Sequence, residues 1–568
     1  MKILTLHVDY INFQPMKKAL KNIEDISDEP LEKQEIGESL VVMTAVEKGD
    51  SDKTKVVNHL VKEIKSIAEQ VSVKHVVLYP YAHLSSDLGK PALAVEILKD
   101  AEKKLKKDFK VVRAPFGYYK QFEMKVKGHP LSELSREIVI EGKEEIADVS
   151  EDERKRLLKE ISKSKLDTSK LKDNDHRIIG RKMDLWSFNE VAPGMVFWHD
   201  KGLFIRNKLI DYWRELHRKK GYSEILTPQI MDRKLWEISG HWSKYGENNF
   251  KTEYEGRDFL VKPMNCPGGM LVFKNSPKSY KDLPMRVGEI GVVHRVELSG
   301  TLGGLFRVIQ FTQDDAHIFC TEKQLEEEVG KIIEIINEVF EKFGLEFDHV
   351  ELSTRPEKRV GDEKFWDFAE DALESILKKN KMKYKINKGD GAFYGPKIDF
   401  HLKDSLGRTW QCSTIQLDMA LPERFELEYV DKKGKSQRPI MLHRVVFGSV
   451  ERFVGILTEH LEGKFPLWLS PNQIKIMTMN DDAKDYAKEV YDILFDKGFR
   501  VELDDRNESI GKKAREAQIQ KFNYLVTLGD KEKEKSVLAV RSREDKEVKE
   551  MALEEFLKKI EKKVNQRV

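Results

Sequence analysis

Two arginine-bearing segments of the sequence are suited to holding phosphate groups. The first is His294-Arg295-Val296-Glu297, which precedes a glycine-rich turn (299–304) and then Phe306-Arg307. The second is Gly448-Ser449-Val450-Glu451-Arg452, which predicts the start of a helix that carries an arginine. Guanidinium groups bind phosphate oxygens through paired, charge-assisted hydrogen bonds. Because the chain has no GxxxxGK(S/T) loop and no dinucleotide-type GxGxxG motif, a bound nucleotide would depend on such arginines.

Three further residues could hold a metal ion. Cys266, His317 and His443 supply the sulfur and nitrogen ligands that zinc prefers, and three protein ligands leave a position open for water or substrate. The three residues lie far apart along the chain, so their spacing alone does not indicate a site. A lone cysteine is more often a small buried apolar residue, and a lone histidine is more often part of a core or a surface.

The elements that must position these residues fall in a large middle block, 176–466. Predicted helices (for example 203–219 and 321–342) alternate there with apolar runs that carry Arg, Gln, Asp and His. This pattern is typical of an antiparallel sheet that has one polar face, on which the chemistry takes place.

The rest of the chain divides into three parts. Residues 1–145 predict a compact α/β domain, with strands at 2–8, 39–46, 75–79, 111–114 and around 122–126, and helices over 57–71 and 93–105. Residues 146–175 are almost wholly charged and predict a helical or extended linker. Residues 467–568 return to an α/β alternation, with strands at 474–479 and 524–527 and helices at 483–497 and 550–564.

Composition limits the class of protein. Charged residues make up 35% of the 568 residues and apolar residues 40%, which allows several hydrophobic cores. A net charge of +2 means that any RNA binding must come from local patches. Three scattered cysteines, an early polar N-terminus and the lack of a run of about 18 apolar residues argue against a secreted or membrane-spanning protein. We therefore expect a cytoplasmic protein that does not enter membranes.

The two arginine segments resemble motifs 2 and 3 of class II aminoacyl-tRNA synthetases, and GYSEILTP (221–228) resembles motif 1, whose proline lies at the dimer interface in that class. Within the class, whole phrases are similar to threonyl-tRNA synthetases. They are KPMNCPGG (262–269), FTQDDAHIFC (311–320), GAFYGPKIDF (391–400), WQCSTIQLD (410–418) and MLHRVVFGSVERFVGIL (441–457). The resemblance implies a class II antiparallel sheet core flanked by helices, an N-terminal deacylase-like α/β domain and a C-terminal α/β anticodon-binding domain.

The resemblance also implies a reaction and its residues. L-threonine would be activated with ATP and Mg²⁺ and transferred to tRNA(Thr) by a homodimer that holds one Zn²⁺ per subunit at Cys266, His317 and His443. The zinc takes the amino and hydroxyl groups of threonine, which excludes valine, whereas a hydrophobic pocket would separate such isosteres by only about 10²-fold. The implied catalytic residues are Arg295, His241, Lys397 and Arg452; the ATP-binding residues are Arg295, Glu297, Arg307, Gln411 and Arg452; and the threonine-binding residues are Met264, Gln313, Asp315, Tyr394 and Gln416. For His241, a role in deprotonating the ribose hydroxyl and a purely structural role both stay open.

Serine also carries a hydroxyl, so a zinc-based site needs a second, hydrolytic sieve. Residues 1–145 lack the HxxxH pair of bacterial-type editing domains. They resemble the archaeal type of editing domain, which is similar to D-aminoacyl-tRNA deacylases. The core phrases, including DHRIIGRKMDLW (175–186), are closer to the bacterial type. The resemblance implies editing of Ser-tRNA(Thr) by His83, Tyr119, Lys120 and Glu133. In the C-terminal part it implies anticodon reading by Asn507, Arg515, Glu532 and Arg541.

Three alternatives remain at this stage. A synthetase for proline or serine is disfavoured by the cysteine–histidine set and the QDDAH phrase. A non-enzymatic RNA-binding relative would be expected to lack the arginines of motif 2 or 3, and Arg295 and Arg452 are both present. A deacylase fused to an inert partner is disfavoured by the complete set of potential zinc ligands.

Overall fold

The computed structural model describes residues 1–20, 32–138, 150–161, 171–244, 249–404, 407–545 and 547–568, and they form two compact units, Met1–Glu153 and Arg154–Val568. The elements of the first unit are β1 (Lys2–Lys18), β2 (Gln34–Ile36), β3 (Ser39–Ala45), α1 (Lys53–Gln70), β4 (His75–Pro80), α2 (Pro91–Leu105), β5 (Lys110–Arg113), β6 (Tyr118–Val126) and β7 (Glu133–Glu137). They are followed by α3 (Glu151–Ile161), a helix in the segment predicted as a charged linker. Residues 146–149 and 162–170 of that segment lie outside the described residues.

The first unit is a seven-stranded mixed sheet in which β3, β4 and β5 are parallel neighbours. Parallel strands need crossover connections, and α1 and α2 supply them, each with one apolar stripe buried against the sheet. The predicted first strand, 2–8, is too short: β1 continues to Lys18 and pairs with β6, with irregular register at Val8/Tyr10 and Pro15/Lys17. These irregularities interrupt the alternation of apolar residues from which a strand is predicted.

The second unit contains the predicted polar-faced sheet. Its elements up to residue 460 are α4 (His176–Lys182), β8 (Trp186–Ser187), β9 (Phe197–Trp198), α5 (Asp200–Lys219), β10 (Ser223–Glu224), β11 (Ile230–Asp232), α6 (Arg233–Ser239), α7 (His241–Lys244), β12 (Lys251–Tyr254), β13 (Arg257–Val261), α8 (Cys266–Lys274), β14 (Met285–His294), β15 (Gln310–Cys320), α9 (Leu325–Phe343), β16 (Phe347–Ser353), α10 (Glu363–Lys379), β17 (Lys385–Asn387), β18 (Lys397–Lys403), β19 (Thr409–Asp418), α11 (Ala420–Arg424), β20 (Tyr429–Val430), β21 (Ser436–Gln437), β22 (Ile440–Val445) and α12 (Val450–His460).

Eight of these strands form one sheet in the order β10-β14-β15-β22-β19-β18-β16-β17. All pairings are antiparallel except the two at the edges, β10–β14 and β16–β17. One face packs on α5, α9, α10 and α12 in a continuous apolar core that includes Leu209, Ile336, Leu373, Leu442 and Ile456. Because side chains alternate along a strand, the polar residues between these apolar ones share the opposite face.

The last part of the chain is a five-stranded mixed sheet with its own core. Its elements are β23 (Ile474–Thr478), α13 (Lys484–Asp496), β24 (Val501–Asp504), α14 (Ile510–Ile519), β25 (Tyr524–Leu528), α15 (Asp530–Lys535), β26 (Leu538–Ser542), β27 (Val548–Met551) and α16 (Leu553–Gln566). The helix predicted over 550–564 therefore begins too early, because residues 548–551 pair with β26 as a strand before α16 starts at Leu553.

Candidate active site

The polar face of the eight-stranded sheet carries a cavity of about 160 Å³ at the centre of the sheet. Its walls come from the three neighbouring strands β15, β22 and β19, from the start of α8 and from the segments around Arg295 and Tyr394. The lining residues are Met264, Cys266, Arg295, Gln313, Asp315, Tyr394, Thr414, Gln416, His443, Arg444 and Val445. All five predicted threonine-binding residues are therefore in one cavity, together with two of the three predicted metal ligands.

The predicted metal ligands meet at the floor of this cavity. His317 on β15 and His443 on β22 are directly paired in the sheet, and Cys266 is the first residue of α8. Their ligand atoms all lie within 4.8 Å of one another, and all three residues are buried. His443 Nε2 lies 2.8 Å from Asp418 Oδ2. This contact orients the ring, so Nδ1 is the nitrogen of His443 that could bind a metal ion. This cluster is a candidate metal-binding site.

The chemistry of this cluster fits a bound metal ion. His317 Nε2 is buried without a hydrogen-bond partner among the described residues, and the nearest carboxylate oxygen, on Asp315, is 3.6 Å away. Buried polar atoms without a partner are uncommon, and a ligand or ion accounts for many of them. Burial lowers the pKa of His317, so the ring is in the neutral form that binds metals. Burial also raises the pKa of the Cys266 thiol well above its usual value, a cost that a coordinated cation would offset.

Arg295 and Arg307 lie on the two sides of the glycine-rich turn. Arg295 follows β14, its Nε donates to the carbonyl oxygen of Pro263 at 3.1 Å, and it lines the cavity. Arg307 pairs with Glu297, with 2.9 Å between Nη2 and Oε2, and its side chain is about half exposed. This pairing can hold the arginine ready for an anion while the cavity is empty.

Arg452 is the third guanidinium group, and α12 fixes its position. The helix begins after Ser449, whose Oγ accepts from the backbone nitrogen of Arg452, as expected for a helix cap. The Arg452 side chain donates to the carbonyl oxygens of Phe306 at 3.0 Å and Gln411 at 2.9 Å. Burial lowers the pKa of Arg452, and the positive charges of the other two arginines lower it further. Three like charges held this close favour a multiply charged anion between them.

Lys397 and Gln411 lie beside the cavity and not in its wall. Both contact the buried Asp399, through Lys397 Nζ to Oδ2 at 2.8 Å and Gln411 Nε2 to Oδ1 at 2.5 Å. Lys397 also reaches Asp390 at 3.1 Å. Asp399 thus positions two predicted site residues, although the sequence did not single it out.

His241 is fully buried behind Met264, a residue of the cavity wall. Its Nε2 lies 2.8 Å from Met264 Sδ, and its Nδ1 lies 2.8 Å from Ser239 Oγ. Burial, together with the charge of Arg295, lowers the pKa of His241 to about 3. The ring is therefore neutral at physiological pH, and a group with so low a pKa is a weak base.

Three cavity residues were missed from the sequence: Thr414, Arg444 and Val445. Thr414 lies two residues before Gln416 on β19, so period-two alternation places both on one face and would have identified it. Arg444 and Val445 follow His443 at the end of β22, where the chain turns towards Asp314. Two neighbours outside the wall were also missed: Asn265, whose Nδ2 lies 3.3 Å from Asp315 Oδ2, and Asp418 behind His443.

The first unit has a separate cavity of about 560 Å³. Three predicted editing residues, His83, Tyr119 and Lys120, line it, whereas Glu133, on β7 opposite Leu6, is not among the described residues in its wall. Lys120 Nζ donates to the carbonyl oxygens of Pro115 at 2.9 Å and Tyr118 at 3.2 Å. Burial lowers the pKa of Lys120 to about 8, which makes it an amine that titrates near physiological pH.

The predicted anticodon-reading residues are distributed over several elements. Asn507 lies after β24 and Arg515 on α14, and both are exposed; Arg541 lies on β26, opposite Leu525. Glu532 is buried on α15, where its carboxylate accepts from the backbone nitrogen of Gly529 at 2.9 Å and caps its own helix. Glu532 therefore has a structural role that the sequence did not indicate. Among the described residues, no helix is long and apolar enough to cross a membrane.

Comparisons with known proteins identify each part of the chain. The family model of the archaea-specific editing domain of threonyl-tRNA synthetase matches residues 1–138, the class II core domain (G, H, P, S and T) matches 250–461, and an anticodon-binding domain matches 473–563. The predicted fold class, with these three parts in this order, is thereby confirmed.

Two curated relatives are threonine–tRNA ligases. The protein from Clostridium tetani is 53% identical over 397 residues, which cover 70% of this chain and 62% of the relative. That from Caldanaerobacter subterraneus is 51% identical over 424 residues, covering 73% of this chain and 66% of the relative. The chain thus spans a little less than two thirds of the length of these two relatives. In a solved structure described as the RNA binding domain of threonyl-tRNA synthetase from Cryptosporidium parvum, 98% of that chain matches 68% of this one, at 41% identity and a TM-score of 0.66. By sequence, by structure and by the match to each of its parts, the chain belongs to the threonyl-tRNA synthetase family.

Proposed function

We propose that this chain activates L-threonine with ATP and transfers it to tRNA(Thr), and that its first unit hydrolyses Ser-tRNA(Thr). The observation that supports this best is the central cavity, where a cysteine–histidine cluster, an acidic hydroxyl acceptor and an arginine lie within one small space. A binding module would need neither the buried ligand cluster nor the three converging guanidinium groups.

In the proposed activation step, the threonine carboxylate attacks the α-phosphorus of ATP and pyrophosphate leaves. Arg295 holds the carboxylate against the α-phosphate, and Arg307 and Arg452 bind the other phosphates, with Mg²⁺ sharing their charge. These arginines are already held by carbonyl and carboxylate partners, so little reorganisation is needed when charge develops in the transition state. Positioning of the two reactants contributes the rest.

Selection of threonine is assigned to the floor of the cavity. A zinc ion held by Cys266, His317 and His443 would supply an open coordination position for nitrogen and oxygen ligands. Asp315, which is 8% exposed, accepts a hydrogen bond from the substrate hydroxyl. Valine has no hydroxyl to donate to that buried carboxylate, and sites built to bind a hydroxyl reject analogues that lack it by about 10⁴–10⁵-fold.

Serine satisfies the same groups, so its removal is assigned to the cavity of the first unit. His83, Tyr119 and Lys120 supply a ring nitrogen, a phenol and an amine in the wall of a space much larger than the threonine cavity. Such groups can orient a water molecule and neutralise the oxyanion that forms when an ester is hydrolysed.

The proposed partners are tRNA(Thr) and a second copy of the chain. Asn507, Arg515 and Arg541 are the proposed contacts to unstacked anticodon bases, and the exposure of Asn507 and Arg515 supports this role. Glu532, the fourth residue of that set, is buried and caps its own helix. The segment that resembles motif 1 presents Leu226 at 77% exposure, and Ile230 nearby is 54% exposed, which suits a surface covered by a partner subunit. All three cysteines are free thiols, which agrees with the reducing cytoplasm where the substrates occur.

Aminoacylation of a tRNA(Thr) transcript with labelled threonine tests the proposal. We expect threonyl-tRNA to form with the full chain, and Arg295→Gln to lower the rate by about 10²–10³-fold, as for the loss of a preorganised donor. The control is Arg257→Gln, which removes an exposed arginine on β13. No product from the full chain, or equal rates for the two variants, would contradict the proposal.

A further inference from the structure

A second cluster of metal-binding side chains lies on the polar face of the sheet, near its far edge. His349 and Glu351 project from the same face of β16, and His401 on β18 is directly paired with His349. Their ligand atoms lie within 4.8 Å of one another. The apolar residues between them, Val350 and Phe400, face the opposite side and belong to the core.

We propose that His349, Glu351 and His401 bind a divalent transition-metal ion at a site separate from the cysteine–histidine cluster. Two imidazoles and a carboxylate are a donor set that suits Zn²⁺ and its neighbours in the first transition row. Each side chain is about one fifth exposed, so an ion can enter from solvent without unfolding the sheet.

The distances suit one small cation. His349 Nε2 lies 3.2 Å from Glu351 Oε1, and His401 Nε2 lies 3.6 Å from Glu351 Oε2. Two ligand atoms bound to a tetrahedral zinc at about 2.0–2.2 Å are separated by roughly 3.4 Å. The two imidazole rings are stacked in parallel, 4.4 Å apart, so both can direct Nε2 to the same carboxylate. A metal ion lies in the plane of each imidazole that binds it, so one of the two parallel rings must turn about its side-chain bonds to share an ion with the other.

Two neighbouring residues orient the side chains of the cluster. Asp348 Oδ2 lies 2.8 Å from His349 Nδ1; because a carboxylate only accepts, the proton of a neutral ring is on Nδ1 and the lone pair is on Nε2. This carboxylate–histidine pairing is the usual orienting contact of a metal-bound imidazole. Asn387 Nδ2 donates to Glu351 Oε2 at 2.9 Å and fixes the carboxylate in the same way.

The Nε2 atoms of both histidines face the carboxylate of Glu351, where one cation could contact all three side chains. The lone pair of a neutral His349 would face a carboxylate oxygen at 3.2 Å, which is favourable only if a proton or a metal ion lies between them. His401 Nε2 is buried without a hydrogen-bond partner among the described residues. An ion bound here would tie β16 to β18, the strand that carries Lys397 and Asp399.

Zinc content of the full-length chain tests this inference. Metal-free protein is loaded with Zn²⁺ alone, passed through gel filtration and assayed for zinc per chain. We expect His401→Gln to lower the content by about one ion per chain, as expected for a site built from three protein ligands. The control, His59→Gln, changes an exposed histidine on α1 and leaves the content unchanged.

A second variant covers the case in which His401→Gln fails to fold. Asp348→Asn leaves all three ligands in place and removes only the carboxylate behind His349, so we expect zinc to bind this site about 10–100-fold more weakly. Unchanged content in His401→Gln together with unchanged affinity in Asp348→Asn would overturn the inference. Cys266→Ala reports on the other cluster independently, so failure of either site is distinguishable from failure of the other.

Discussion

Replacement of Asp314 by Asn should destabilise the protein and misplace Arg452 at the same time. Asp314 is fully buried on β15, and its carboxylate accepts hydrogen bonds from three consecutive backbone nitrogens, of Val446, Phe447 and Gly448, at 2.9–3.1 Å. These residues lead directly into Ser449, the cap of α12. The carboxylate is thus the point at which the sheet fixes the start of that helix.

The expected magnitude follows from the count of donors. In Asp314→Asn one oxygen still accepts, but the new amide group can face a backbone N–H that it cannot bind. The substitution removes one charge-assisted hydrogen bond, which contributes about 1.5–3 kcal/mol to stability. It also leaves one buried N–H donor unsatisfied, which costs about 1–3 kcal/mol. The nearby Arg444 also loses a compensating charge. We expect the free energy of unfolding to fall by roughly 3–5 kcal/mol, the range found when a buried ionic contact is broken.

Urea denaturation and ATP–pyrophosphate exchange of the same preparations check both consequences. Burial raises the pKa of Asp314 to about 6, so the assays belong at pH 7.5, where the group is ionised. Because the folded state binds a proton more tightly than the unfolded state, the wild type should gain stability as the pH falls through 6. The Asn variant does not titrate there, so the difference in the free energy of unfolding between the two proteins should widen. We expect exchange to fall by about 10²-fold, the usual cost of a catalytic group displaced by about 1 Å. A loss of stability below about 1 kcal/mol, or one equalled by the exposed control Asp371→Asn, would refute the reasoning.

Two further predictions use other buried groups. Lys262→Met should lower the free energy of unfolding by about 3–5 kcal/mol, because Lys262 and Glu289 are both buried and 2.8 Å apart, and the carboxylate would be left without a counter-ion. Lys262→Met/Glu289→Leu should recover most of this loss in the same urea titration. A double variant no more stable than the single one would contradict this expectation. The rate of Ser-tRNA(Thr) hydrolysis, corrected for the uncatalysed rate, should fall as the pH rises through about 8, where the pKa of the buried Lys120 lies. Lys120→Arg should keep the rate constant over this pH range. An identical pH profile in both proteins would exclude Lys120 as the source of the decrease in rate.

Periodic segments with clear ends were predictable from the sequence. The helix predicted over 203–219 is observed as Asp200–Lys219, and that over 321–342 as Leu325–Phe343 after a short 3₁₀ turn. The errors lie where pairing partners decide the structure. Strand β1 extends across irregular register to Lys18, and the strand Val548–Met551 is too short to show an alternating pattern.

The residues of the candidate site also fall into those that the sequence predicts and those that only the strand pairing shows. Cys266, His317 and His443 could be named because the surrounding phrases resemble a family, but only the pairing of β15 with β22 brings the two histidines together. Asp399 and Asp418 were missed because their importance depends on side chains from neighbouring strands. A sequence shows which residues alternate on one face; it does not show which strands are neighbours.

Amino-acid-dependent ATP–pyrophosphate exchange is the most direct test of the central claim, with threonine, serine and valine offered separately to the full chain and to Cys266→Ala. We expect exchange with threonine, weaker exchange with serine, none with valine, and loss of exchange in the variant. Exchange with none of the three amino acids, or exchange with valine equal to that with threonine, would contradict the central claim.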